Sequence, residues 1–163
     1  AALRTRFGGR AWIAGLSFAL VALVNGEALR APITFRPFSG IPPIYGRLAT
    51  EPGAVVVELP LYQRQSIARN APYLLNSTRH WKPLVNGYSG FTPPGYGRRY
   101  EDLRGFPDAR AISALRALGV THVFVHTAEF TAARGPGAFT ELREARDLEL
   151  VGEGQGIRLY RLR

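Results

Sequence analysis

The run from Ala54 to Leu61, AVVVELPL, decides the fold. Its unbroken aliphatic character lacks the alternation of a half-exposed strand. It fits a strand buried on both faces, as in a parallel sheet. The end of that strand places Glu58 and Tyr62 at its carboxyl edge. Downstream, the segment from Ala109 to Gly119 sets Ala111, Ile112, Leu115 and Leu118 on one helical face and closes on a C-cap glycine. A second apolar strand, VTHVFVHT, follows from Val120 to Thr127, and helix, glycine and strand together make half of an α/β unit. Pro136 to Arg146 reads as another helix, with Phe139, Leu142 and Ala145 spaced for a buried side. Leu148 to Val151 and Ile157 to Leu162 read as strands joined by GEGQG, an antiparallel hairpin that closes the sheet. A short helix over Ile44 to Thr50, stopped by Pro52-Gly53, completes an α/β fold: a small mixed β-sheet with flanking helices.

Upstream of this fold lies a different kind of sequence. Ala11 to Gly26 carries no charge, with Arg4, Arg6 and Arg10 on one side and Glu27 and Arg30 on the other. A transmembrane helix needs about 20 residues, a length this run approaches if helix ends and Trp12 reach into the interface. The basic flank then sets the N-terminus in the cytoplasm and the remainder on the periplasmic face of a bacterial inner membrane. A signal peptide is the competing reading, though the small-x-small pattern around Asn25-Gly26-Glu27 is poor. A buried amphipathic helix is the third, opposed by apolar residues that wrap around the helix instead of forming a stripe. The expected organisation is a membrane helix with its basic flank over 1–28, a proline-rich linker over 29–43 and an extracytoplasmic α/β domain over 44–163.

The 163 residues suffice for one ordinary domain and a small appendage. With no cysteine there is no disulfide, thiolate metal site or cysteine nucleophile. The formal charge is +9, and Lys82 is the sole lysine among 21 basic residues. The arginines are scattered, with Arg98-Arg99 the one doublet, and no basic helix or aromatic-interleaved basic strand appears, so nucleic acid is not an expected partner.

The stretch from Tyr73 to Pro94, YLLNSTRHWKPLVNGYSGFTPP, is polar, kinked and rich in hydrogen-bonding side chains between Pro72 and Pro93. Ordering such a loop costs roughly 1–2 kcal/mol of backbone entropy per residue, so it reads as a surface that meets something. Glu58 is the first candidate, either a carboxylate with a raised pKa able to act as a general base or one paired structurally with an arginine. His80, Trp81 and Lys82 offer an indole face and donors to a sugar or an anionic head group; the plainer alternative is a Trp anchoring the loop and a His facing solvent. His122 and His126 project from one strand face without a third ligand, and a structural role is expected of both; no metal or cofactor is expected. Asn86-Gly87-Tyr88-Ser89-Gly90 lacks the spacing of a phosphate-binding loop and reads as a turn. Ser89 has no nucleophile-elbow context, so the chain alone does not form a complete enzyme.

The order of these features resembles a family. The apolar helix, the proline-rich exit, Tyr45 with Leu48-Ala49, Pro52-Gly53 with AVVVELPLY, the 73–94 block, LGVTHVFVH and the closing RLYRL look like the tail of bacterial multi-spanning glycosyltransferases. These are similar to the polyprenyl- or dolichyl-phosphate-mannose mannosyltransferases. The resemblance covers nearly the whole chain and rests mainly on the VELP strand and the STRHWKPLVNGYSG block. It implies a membrane-embedded catalytic half that this sequence lacks, a lipid-linked sugar donor and contact with membrane lipid. Glu58, Tyr62, Asn76, Arg79, His80, Trp81, Asn86 and Tyr88, chosen by their chemistry, are the positions expected to face the membrane half, the lipid-linked sugar or a carbohydrate acceptor. The rival expectation is a membrane-anchored or secreted, non-enzymatic module that binds carbohydrate or protein.

Overall fold

A computed structural model describes the backbone of residues 2–28, 38–87 and 92–163, and the side chains of 11–26, 38–87 and 92–163. The chain divides into two units, Ala1–Ser39 and Gly40–Arg163. The expected linker falls largely on residues 29–37, which lie outside the described residues.

The first unit contains one helix, α1 (Ala2–Ala28). Its large apolar side chains, Trp12, Ile13, Leu16, Phe18, Leu20, Val21, Leu23 and Val24, are all exposed. Consecutive positions on a helix point about 100° apart, so exposure at Leu20, Val21, Leu23 and Val24 leaves no single buried stripe. Among the described residues no helix is long and apolar enough to cross a membrane.

The second unit is a mixed α/β sheet. Strand β1 (Val56–Leu59) lies parallel to β2 (His122–His126), with Val57 opposite Val123 and Leu59 opposite Val125. Strands β3 (Leu148–Gly154) and β4 (Ile157–Leu162) pair antiparallel, and the sheet order is β1-β2-β4-β3. Beyond β1, Val56 donates its N–H to Pro83 O at 2.9 Å and accepts from the Val85 N–H at 2.8 Å, so the 83–85 segment covers what would be an open edge.

Alternation along β1 sends its side chains to two different cores, which is why its sequence is apolar at nearly every position. Val57 and Leu59 join Val123, Val125 and Tyr160 on one face. That face is packed by α3 (Tyr96–Leu103), α4 (Ala109–Ala117), α5 (Thr127–Arg134) and α6 (Ala138–Glu144). Val56, Phe124, Ile157 and Leu159 line the other face, closed by Ile44, Tyr45 and Leu48 of a 3-10 turn over Pro43–Leu48. The hairpin turn is tighter than the sequence predicts. The strands run through Gly152–Gly154 with a bulge at Leu150/Gly152, and Gln155 and Gly156, both at positive φ, make the turn.

The polar stretch expected from Tyr73 begins as a helix instead, α2 (Ala71–Ser77), because Pro72 falls in its first turn, where a missing N–H costs nothing. Helices α3 and α5 had no signal in the sequence; each spans only two turns, and α5 starts directly where β2 ends.

Helix α4 begins where Asp108 accepts the Ala111 N–H through Oδ1 at 2.8 Å. Gly105 makes that cap possible: a Cβ there would sit 2.1 Å from Asp108 Oδ2. Asp108→Ala is expected to lower stability by about 1 kcal/mol. Gly105→Ala, by displacing the same carboxylate, should cost a similar amount in urea unfolding. The two losses should not add in the double variant; full additivity would show that Gly105 does not act through the cap.

Candidate functional site

A carboxylate inside a strand covered on both faces must find its partners within the protein. Glu58 is fully buried and supplies the centre of a polar cluster at the carboxyl end of the parallel pair. Its main chain is held first. Asn86 accepts the Glu58 N–H through Oδ1 at 2.7 Å and donates Nδ2–H to the Glu58 carbonyl at 2.8 Å, so one side chain takes the place of a neighbouring strand. Its carboxylate is held next: Oε2 accepts the Tyr45 hydroxyl at 2.5 Å and lies 2.7 Å from His126 Nε2, which we assign as the donor. The Tyr45 oxygen in turn accepts Asn76 Nδ2–H at 3.1 Å.

Aromatic rings fix these partners in place. The Tyr73 ring stacks on His126 with centroids 4.5 Å apart, and Tyr45 stacks on Phe124 at 4.4 Å. His80 lies parallel to Tyr45 and Phe124, and its Nδ1 accepts the Lys82 N–H at 3.0 Å. Glu58 Oε1 and His80 Nε2 are buried with no hydrogen-bond partner among the described residues.

The electrostatics follow from burial. Desolvation drives the Glu58 carboxyl above the usual carboxylate range, opposed by the His126 hydrogen bond and charge and by the Tyr45 hydroxyl. Burial, and the negative Glu58 beside it, push the Tyr45 phenol up; burial, then Tyr62, raise Tyr73. His80 is pushed down by burial and then by the Lys82 charge, which favours a neutral ring. The chemistry available is that of a carboxylate–imidazole pair. Glu58 fixes the His126 Nε2–H tautomer and leaves the Nδ1 lone pair of a ring that is 12% exposed.

Of the expected site residues, Glu58, Asn76 and Asn86 meet in this cluster, and His80 stacks against its edge. Tyr62 stands beside it, its hydroxyl 3.4 Å from that of Tyr73 and its ring under the Arg69 guanidinium at 5.6 Å. Arg79 is exposed, and Tyr88 lies outside the described residues. The alternative of an anchoring Trp81 and a solvent-facing His80 is reversed: His80 is buried and Trp81 is 81% exposed. The turn after α2 causes this, since Trp81 takes φ 54 and gives its N–H to Ser77 O at 2.8 Å. The paired alternative for Glu58 also changes partner, from an arginine to a histidine. Tyr45 and Tyr73 were not singled out, and His126 was read as structural. The usable signal was the buried strand: an acid in VVVEL opposite a histidine-bearing strand has few partners other than that histidine. Among the described residues no group of three His, Cys, Asp or Glu is placed to hold a metal.

In comparisons with protein-family models, curated proteins and solved structures, nothing matched this chain.

Because the folded Glu58 carboxyl titrates above its unfolded value of 4.5, its contribution to stability is complete below about pH 4.5 and is lost as pH rises through the folded value. The unfolding free energy of the wild type minus that of Glu58→Gln should therefore fall with rising pH over that window. A difference that is flat or grows with pH would contradict the assignment.

Proposed function

We propose that this chain is the C-terminal part of a membrane glycosyltransferase-like protein that uses a lipid-linked sugar. On this reading α1 associates with the bacterial inner membrane and Gly40–Arg163 is a periplasmic domain. The turn after α2 covers or shapes the sugar site, and catalysis belongs to a membrane half outside this sequence. The observation that carries the reading is Trp81. A non-glycine residue in the left-handed region costs roughly 1–2 kcal/mol, and here the cost is accepted to hold an indole out into solvent. An exposed, rigidly held indole face suits the apolar face of a sugar ring, and exposed Arg79 and half-buried Lys82 supply flanking positive charge for an anionic head group. The exposed apolar residues around α1 support the lipid contact.

One observation favours a second reading. The Glu58 carboxylate is fully buried against Tyr45 and His126 and cannot reach a substrate. That suits an anchored, non-enzymatic carbohydrate- or protein-binding module.

Trp81 is exposed, so Trp81→Ala should leave folding intact. Losing one stacking contact should lower kcat/KM for transfer from a polyprenyl-phosphate sugar by about tenfold in the full-length protein. Unchanged transfer rate and acceptor preference would refute the transferase role of this turn. Retained carbohydrate binding with no transfer would favour the module.

A further inference from the structure

On the helix-covered side of the sheet, opposite the Glu58 cluster, a cleft of about 550 Å³ opens at the carboxyl end of β1. Its location follows from strand alternation. Leu59 belongs to the core on the helix side, whereas Glu58 points to the other face, so the two sites share a strand end but not a surface. We propose that this cleft binds a small phosphate-bearing molecule.

Three arginines from three separate places in the fold line it: Arg104 just after α3, Arg110 in the first turn of α4 and Arg134 at the end of α5. In a chain whose arginines are otherwise dispersed, this grouping is a product of folding alone. The floor is apolar, made by Leu59, Leu103 and Phe130, and is suited to the non-polar body of a ligand.

Each guanidinium presently rests on a carboxylate near the surface: Arg104 on Glu101 at 3.0 Å, Arg110 on Asp102 at 2.6 Å and Arg134 on Glu141 at 2.8 Å. The Arg104 pair is exposed on both sides and contributes about 0–1 kcal/mol, whereas the side chains of Asp102 and Arg134, at 27% and 28% exposure, are half-buried, so the ligand must offset more at those two pairs. Asp102 and Glu141 do not line the cleft. The two acids that do, Glu101 and Asp108, stand against three arginines, which leaves the lining with a net charge of +1. A phosphate presents several acceptor oxygens to forked guanidinium donors and gains charge-assisted hydrogen bonds that a single carboxylate cannot make with all three.

Inorganic pyrophosphate, titrated calorimetrically into the full chain, is the probe. Saturable one-to-one binding is expected, weakened about tenfold by Arg110→Ala and by Arg134→Ala and only partly by Arg134→Lys, which keeps the charge but loses the fork. Arg143→Ala, on α6 and outside the cleft, should change nothing. Glu141→Gln breaks the same ion pair as Arg134→Ala but should leave binding equal or tighter, which separates a ligand contact from a loss of structure. The proposal is overturned by an absence of saturable binding, by equal weakening from Arg143→Ala, or by Glu141→Gln weakening binding as much as Arg134→Ala does. Because the probe carries no sugar or lipid, this outcome is independent of whether the protein takes part in glycosyl transfer.

Discussion

The second unit is organised around the need to satisfy one carboxylate. Glu58 stands in a strand with apolar layers on both sides, where an unpaired acid costs several kcal/mol and loss of a single partner typically costs about 3–5 kcal/mol. Meeting that need draws together parts of the chain that are far apart in sequence. Tyr45 comes from the 3-10 turn that closes one face and His126 from the last position of the parallel neighbour, while Asn86, just after the segment that covers the β1 edge, holds the Glu58 main chain. Each of these elements also has a packing role: the turn buries Ile44 and Leu48, β2 buries Phe124, and the 83–85 segment takes up the outer hydrogen bonds of Val56. The polar cluster therefore fixes the register of the same pieces that apolar burial holds together.

This arrangement divides the carboxyl end of the parallel pair into two environments. On the thin side the polar groups are sealed and stacked, and burial shifts Glu58, Tyr45 and Tyr73 up and His80 down. On the helix side the strand end opens into a cleft lined by three arginines, each in an ion pair. Next to the sealed cluster the molecule displays Trp81, held outward by a turn that buries His80. Sealed acid, open basic cleft and presented indole are three different chemical offers, and the latter two are accessible to a ligand.

The sheet was legible where a sequence signal and a packing demand coincided. AVVVELPL could be read as a strand buried on both sides because both cores require apolar residues at alternate positions, and Gly119 marked the end of α4 because only a residue free to take φ 70 fits there. Shortness alone did not hide α3 and α5, since the still shorter α6 was legible: Gly95 and Gly97 read as loop and masked the spacing of Tyr96, Tyr100 and Leu103, and α5 follows β2 with no intervening break. Polarity singles out Glu58, Asn76 and Asn86 as positions facing a substrate, whereas the structure turns them onto protein groups: Glu58 onto Tyr45 and His126, Asn76 onto Tyr45 and Asn86 onto the Glu58 main chain. Tyr45 and Tyr73 were missed because a buried tyrosine looks like any other core aromatic until its hydroxyl partner is known. The exchanged orientations of His80 and Trp81 depend on one backbone dihedral, which neighbouring residue types do not reveal. The charge-free run over 11–26 marked α1 as a helix but left its length against a bilayer marginal, and that margin separates a helix that spans from one that associates.

The most direct test is nitrogen-15 NMR of the histidine side chains at neutral pH. If Glu58 organises the cluster, His126 will appear as the Nε2–H tautomer, with a downfield ring proton protected from solvent exchange and close to the Tyr73 ring. A His126 ring proton on Nδ1, or one that exchanges freely with water, would mean that the carboxylate and imidazole are not joined and that the hub does not exist.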